Sequence, residues 1–476
     1  MKAVSFIRLY ASVGLVAAAL IVSCRGENGE DQRARHAARE LRDLTGAPTR
    51  IVWCQDMGEG TDLLAYGDKF RLMGFDTEDR RGARPILEKE ANYSKPMITP
   101  KGDRIVFSNR KEYMIYVVNW DGSGLKPLLR GHAVDVWMNP ADGTEWVYYG
   151  ADPLEGVDQN LKSYSGFSRF RIDDPSVSEP VWDKTEVMQL TENNFQLSAD
   201  GARASLWGPS LGVAELPNVK WEPYGKGCWP SLAPDNSYVF WHFDGGHRSM
   251  TAYSPGGGND RRIVINGAPG VDGGEVFHPR WSNHARFFSV SGPLEIAGGG
   301  PEVEVYIGRL DDRVTAVEQW ARVTYNERAD FFPDVWIAGG EKACLAYPQK
   351  PAAVAAAPAP AAAQPSTPRA RAVVEARLVE TSAIPAPATI APYRRALVAN
   401  RYEIVKVLEG DCPHKEIMAA HWAIRDAQVL DAARRQTGQV YRMTLESYDD
   451  SPELEGERLI MDGDQFLLPL FVDING

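Results

Sequence analysis

Six side chains that carry metal or acid-base chemistry fall in the third quarter of the chain. His242 and His247 flank Phe243-Asp244-Gly245-Gly246, His278 and His284 flank Pro279-Arg280-Trp281-Ser282-Asn283, and Asp330 and Asp334 follow. Neutral imidazoles with carboxylates make a donor set for a divalent cation. The alternative is structural, because polar side chains at strand ends hydrogen-bond the turns beside them, and that role is the default. No catalytic residue is assigned, so the expectation is no cofactor, with a divalent metal as the alternative.

Other templates are incomplete. Gly256-Gly257-Gly258 and Gly298-Gly299-Gly300 lack a following Lys-Ser/Thr and read as hairpin loops. Gly122-Ser123-Gly124 lacks the strand-turn-helix setting of a nucleophile elbow. His421-Trp422 and the stretch Glu453 to Glu457 are a ligand surface or, by default, structural. Without a CxxC pair among the five cysteines, a zinc site is unsupported. The aromatics Trp137, Trp146, Trp207, Trp229, Trp241, Trp281 and Trp336 suit sugar or peptide recognition, but packing between repeats is their default role.

The elements that must position these residues are short strands. Ile51-Val52-Trp53, Ile105-Val106-Phe107 and Ile115-Tyr116-Val117-Val118 are β-rich runs bounded by Gly, Pro, Asp and Asn. A turn recurs ahead of such runs, at Thr99-Pro100-Lys101-Gly102, Asn139-Pro140-Ala141-Asp142-Gly143, Ser198-Ala199-Asp200-Gly201 and Ala233-Pro234-Asp235-Asn236. Degenerate copies stand at Trp281-Ser282-Asn283-His284 and Ile337-Ala338-Gly339-Gly340, giving a spacing of roughly 35 to 60 residues. A repeat of that length with about four strands is the form of a propeller blade.

The stretch Ile105 to Leu129, with Ile115-Tyr116-Val117-Val118-Asn119-Trp120-Asp121-Gly122-Ser123-Gly124, resembles the repeat of TolB-like (WD-type) propellers. The resemblance covers about residues 50 to 349 and implies an all-β fold, a propeller of six blades with seven as the alternative. Strands at Lys69 to Asp76 and Arg84 to Leu87, with early strands at 335 to 347, imply that the two ends close the ring. Closure would bring Ile51-Val52-Trp53-Cys54 near Ala343-Cys344-Leu345 and make a Cys54–Cys344 disulfide a candidate. Some propeller lyases that cleave uronates hold a metal with histidines, which keeps His242, His247, His278 and His284 as ligands of an alternative enzyme.

Pro351 to Pro368 is almost wholly Ala, Pro, Gln and Ser and reads as a linker. Beyond it Val373 to Val379, Leu397 to Leu408, Ile417 to Ile424, Val440 to Leu445 and Phe466 to Val472 predict a small five-strand barrel. Its run Lys406-Val407-Leu408-Glu409-Gly410 resembles OB-like barrels of the netrin kind, and the module also resembles segments attached to alginate O-acetylation proteins.

The amino terminus sets the compartment. Lys2 and Arg8 precede an apolar run, Leu9 to Val22, too short to span a bilayer as a helix, and Ile21-Val22-Ser23-Cys24 closes it. This resembles a lipobox, which implies acylation of Cys24 and a mature chain held by several acyl groups. Arg25 in place of Asp implies the outer membrane where there are two membranes. Residues 25 to 47 have too little apolar content for a core and read as a tether, with a short surface helix as the alternative. The expected organisation is a signal peptide at 1–23, a lipidated tether at 24–48, a propeller at 49–349, a linker at 350–371 and an OB-like barrel at 372–476. A net charge of −12 with no basic cluster argues against nucleic acid. The expectation is a lipid-anchored, non-enzymatic scaffold of the cell envelope that binds a protein or polysaccharide partner. The alternatives are a metal-dependent uronate lyase and an accessory of exopolysaccharide modification.

Overall fold

A computed structural model describes residues 29–150, 166–182, 195–207, 211–225, 227–255, 261–294, 300, 302–346, 371–384, 386–390, 395–425, 428–451, 454, 457–461 and 468–475. The signal peptide, Cys24, the Ala/Pro linker and most of the two triglycine loops lie outside the described residues.

Alternating apolar residues and Pro-Asp-Gly turns fold residues 49–337 into six four-stranded antiparallel blades. Blade one holds β1 (Thr49–Asp56), β2 (Phe70–Asp76) and β3 (Arg84–Ala91). Blade two is β4 (Ser94–Ile98), β5 (Arg104–Asn109), β6 (Met114–Asn119) and β7 (Lys126–Arg130). Blade three is β8 (His132–Met138), β9 (Glu145–Gly150), β10 (Phe167–Arg171) and β11 (Asp174–Trp182). Blade four is β12 (Gln196–Leu197), β13 (Arg203–Trp207), β14 (Leu211–Glu215) and β15 (Lys220–Gly225). Blade five is β16 (Cys228–Leu232), β17 (Phe240–Phe243), β18 (Ser249–Tyr253) and β19 (Arg261–Val264). Blade six is β20 (Glu275–Trp281), β21 (Phe287–Leu294), β22 (Glu304–Leu310) and β23 (Val317–Arg322). The ring closes when β24 (Asp330–Ile337) becomes the innermost strand of blade one, with Ile51 opposite Val335 and Val52 opposite Asp334.

Two details of closure differ from the sequence expectation. Residues 343–345 form no strand, because Gly339 at φ 76° turns the chain into a short 3-10 turn after β24. The backbone of Leu345 then bonds Asp235 at 2.7 Å. The Cys54–Cys344 disulfide is also excluded by register. Cys54 faces Phe331 near the start of β24, whereas Cys344 follows its other end, and both thiols are free. Cys54 instead donates to the Tyr93 carbonyl at 2.6 Å.

The recurring turns join the first and second strands of blades two to six on one face. Inter-blade packing there accounts for Trp336 and Trp137. Trp336 donates to Pro100 O and Trp137 to Ala199 O, each at 2.9 Å. Their rings cover Gly102 and Gly201, where an added Cβ would come within 2.5 and 2.6 Å of indole carbons. The longer connections, such as residues 57–69 between β1 and β2 and 265–274 between β19 and β20, lie on the opposite face, where the inner strands begin.

The tether expectation is corrected for its described part. Gly29–Thr45 is a helix, α1, and Ala37, Leu41 and Leu44, spaced for one helical face, are buried. They join Trp53, Val305 and Val323 in one cluster across the seam between blades one and six. Three apolar residues on one stripe suffice to dock a helix that is otherwise charged. Leu41→Ala is expected to lower stability by about 2 to 3 kcal/mol in urea unfolding. An unchanged midpoint would mean that α1 does not hold the seam.

The second domain has β25 (Arg371–Glu380), β26 (Ala396–Glu409), β27 (Glu416–Arg425), β28 (Gln428–Val429), β29 (Val440–Ser447), β30 (Arg458–Ile460) and β31 (Leu470–Asp473). The order β25-β26-β27-β31-β29 closes on itself, with β27 and β31 parallel. This is a Greek-key barrel of the OB kind. Its β30 seats on the loop after β17. Leu459 N and Arg458 Nη1 both donate to Gly245 O at 3.1 Å, and Arg458 Nη2 meets Glu275 Oε2 at 2.7 Å.

Candidate functional site

Four inner strands carry the same local irregularity near their start. Lys95, Trp229, His278 and Phe332 each precede a proline and each have positive φ, 45°, 52°, 52° and 53°. A bulky residue before proline is normally held in the extended region, so this is a strained conformation repeated on four blades. The strand pairing skips at the same places, between Ser94 and Met97, Cys228 and Ser231, Phe277 and Arg280, and opposite Val52 and Cys54. Such bulges re-aim side chains. Here, with Phe195 of blade four, they line one shallow depression, the mouth, at the propeller axis that is partly open to solvent.

The floor of the mouth is a closed polar network. Arg280 of blade six reaches Asp135 of blade three at 2.5 Å and Asp334 of blade one at 2.6 Å. Asp334 also accepts from Ile98 N of blade two at 2.7 Å, and Asp135 from Leu197 N of blade four at 2.8 Å. Gln196 Nε2 donates to Trp281 O at 2.7 Å, and its Oε1 accepts from the Ser231 hydroxyl of blade five. All six blades are thereby tied at the axis. Burial pushes the Asp334 carboxyl above the usual carboxylate range, while Arg280 and the Ile98 amide pull the other way. Burial opposes the Arg280 charge too, and the two carboxylates more than offset it.

His278 is the mouth residue with chemistry left over. Its Nε2 lies 2.6 Å from the Leu63 carbonyl, which only accepts, so Nε2 carries the proton and Nδ1 a lone pair. Among the described residues no group donates to Nδ1. Burial lowers its pKa to about 3, with the Leu63 contact opposing, so the ring is neutral. Phe332 lies 4.0 Å and Trp229 5.4 Å from it, between ring centroids. Lys95 Nζ turns to the Val134 carbonyl at 2.5 Å.

The metal set proposed from sequence does not assemble. Among the described residues no three His, Cys, Asp or Glu side chains form a group suited to a metal ion. His278 lies in the middle of β20, whereas His284 lies three residues beyond its end, in the turn to β21. His284 accepts from Arg286 N within its turn, and His242 bonds Phe243 O and Tyr253 Oη, both at 3.0 Å. His247 packs 4.2 Å from Phe277 beneath the barrel contact. Its pKa is held well below the usual range by burial, then by Arg458 and Arg248. Asp334 is bound in the axial network, and Asp330 accepts from Trp53 at 2.7 Å and Asn326 at 2.7 Å.

In the barrel, His421 is buried against Tyr402 Oη at 2.8 Å, with Asp473 3.5 Å from its other nitrogen. Arg435 closes this group by pairing with Asp473 at 2.8 Å, so it braces β26, β27 and β31. Trp422 lies under Arg425 and Arg395, and Arg395 pairs with Glu457.

No protein-family model and no curated protein matches the chain. Among solved structures, TolB from Acinetobacter baumannii is 12% identical, over 63% of this chain and 71% of that one, with a TM-score of 0.39. A putative TolB from Agrobacterium tumefaciens is 12% identical, over 46% and 89%, at 0.29. Hydrazine synthase from Kuenenia stuttgartiensis is 12% identical, over 73% and 54%, at 0.42.

Proposed function

We propose that this chain is a non-enzymatic binding scaffold of the cell envelope, tethered through Cys24, whose propeller mouth takes the ligand. The observation that carries the reading is the fourfold use of a strained residue before proline to aim Lys95, Trp229, His278 and Phe332 at one opening. Beneath it Arg280 is held between Asp135 and Asp334, a fixed floor that suits recognition. With the barrel seated beside the mouth, two modules face the same side, and a linked pair raises the effective concentration of any shared partner. No resident cofactor is part of this reading, and among the described residues no helix is long and apolar enough to cross a membrane.

The test uses the full chain recovered from membranes of a bacterial host, beside Trp229→Ala and Cys24→Ser. Wild-type protein is expected in the membrane fraction and Cys24→Ser in the soluble fraction. Co-sedimentation with purified cell-wall and envelope polysaccharide fractions should fall about tenfold in Trp229→Ala. Parallel incubation with polygalacturonate, followed in the ultraviolet for unsaturated product, should give none. Product together with stoichiometric metal would replace the scaffold by the uronate lyase.

A further inference from the structure

We infer that the mouth binds a neutral saccharide, one sugar face stacked on Trp229 and one hydroxyl donating to His278 Nδ1. This deepens the reading of the mouth as the ligand site and rests on it. The fixed proton on Nε2 makes Nδ1 a buried acceptor without a partner among the described residues, on a residue that lines the depression. A ligand must therefore bring a donor there. The other polar groups at the mouth are committed within the protein: Lys95 to Val134 O, Ser231 to Gln196, Gln196 to Trp281 O, and Arg280 to two aspartates.

Those commitments select among ligand classes. A uronate or other anion needs a cation turned toward it, whereas Arg280 is spent on Asp135 and Asp334 and the buried Lys95 turns its Nζ to the Val134 carbonyl. An extended peptide presents carbonyls as often as amides and needs donors from the site as well as an acceptor. A neutral sugar matches what remains: apolar C–H faces for Trp229 and Phe332, and rotatable hydroxyls that donate to His278.

The probes are cellotetraose and the tetramer of N-acetylglucosamine, with trigalacturonate and tetraglycine amide as competitors of other classes. Each is titrated into the full chain in a sugar-free zwitterionic detergent and read by calorimetry and saturation-transfer NMR. At least one neutral tetrasaccharide is expected to bind. Trp229→Ala should weaken it about tenfold and His278→Phe about three- to tenfold. Trp229→Phe, which keeps a ring, should retain most of the affinity, and circular dichroism confirms that each variant is folded. Binding of trigalacturonate or the peptide that depends on Trp229, without binding of either neutral sugar, overturns the saccharide inference and keeps the mouth as the ligand site. Absence of any neutral-sugar binding that depends on Trp229 overturns the inference. If co-sedimentation is also indifferent to Trp229→Ala, the mouth reading falls with it.

Discussion

Arg280→Met is expected to destabilise the propeller by about 3 to 5 kcal/mol at pH 7, as removal of one partner of a buried ion pair does. The variant leaves Asp135 and Asp334 buried without their cation, Asp135 accepting backbone N–H groups from Leu197 and Val136 and Asp334 one from Ile98. Two features make the prediction specific. The loss should shrink at pH 5, since burial already raises the Asp334 carboxyl and, without Arg280, protonation comes more easily. Adding Asp135→Asn and Asp334→Asn should recover much of the stability, because each amide still accepts the neighbouring N–H and carries no charge. Urea unfolding of the single and triple variants at both pH values checks this. A single variant within 1 kcal/mol of wild type, on the scale of an exposed pair, would mean that the axis is not held by Arg280.

That network shows where sequence reading stops. The turns at Thr99–Gly102, Asn139–Gly143, Ser198–Gly201 and Ala233–Asn236 were legible because turn chemistry is local, and they place the blades correctly. The sixth copy at Ile337–Gly340 opens no hairpin, since its second strand is β1, from the other end of the domain. The histidines misled for a geometric reason: His278 sits mid-strand in β20 at the bulge, while His284 sits in the turn after that strand, so neighbours in sequence stand at different levels of the blade. The signal that was available is proline. Pro96 and Pro230 stand three residues, and Pro279 two, ahead of the turns beginning at Thr99, Ala233 and Trp281, and Pro333 occupies the same part of β24. A proline in an innermost strand contradicts ordinary ladder pairing and announces a bulge. What the sequence does not carry is which blades meet across the axis, because the Arg280–Asp135 contact joins residues 145 apart on opposite blades.

The docked barrel extends this picture. Glu275 lies between Arg458 at 2.7 Å and Arg248 at 3.5 Å, and Arg458 is almost wholly buried. Phe277 and His278 follow Glu275 on β20, so the strand that bears the ligand acceptor also bears the barrel's anchor. A ligand that shifts β20 therefore bears on both modules.

Asp330→Asn should become more stable relative to wild type as pH rises, by about 4 kcal/mol between pH 4 and pH 8. The Asp330 carboxyl is buried at the start of β24, and burial, reinforced by Glu304, pushes its pKa up to about 7 against the pull of Asn326, Gln55 and Thr324. An unfolded aspartate titrates near 4. Below that value both states hold the proton and the group has no effect on folding. Between roughly pH 4 and 7 the unfolded chain releases the proton while the folded chain keeps it, so folding is disfavoured progressively, and the penalty levels off once the folded group ionises. Other groups shape the pH dependence of both proteins alike, so the difference between them isolates position 330. The amide keeps an oxygen for the Trp53 indole N–H, which now comes to Asp330 at 2.7 Å. Urea unfolding of both proteins across this range reads the difference directly. A difference that stays constant with pH would show that Asp330 ionises in the folded chain as it does in the unfolded one, and that its hydrogen bonds balance its burial.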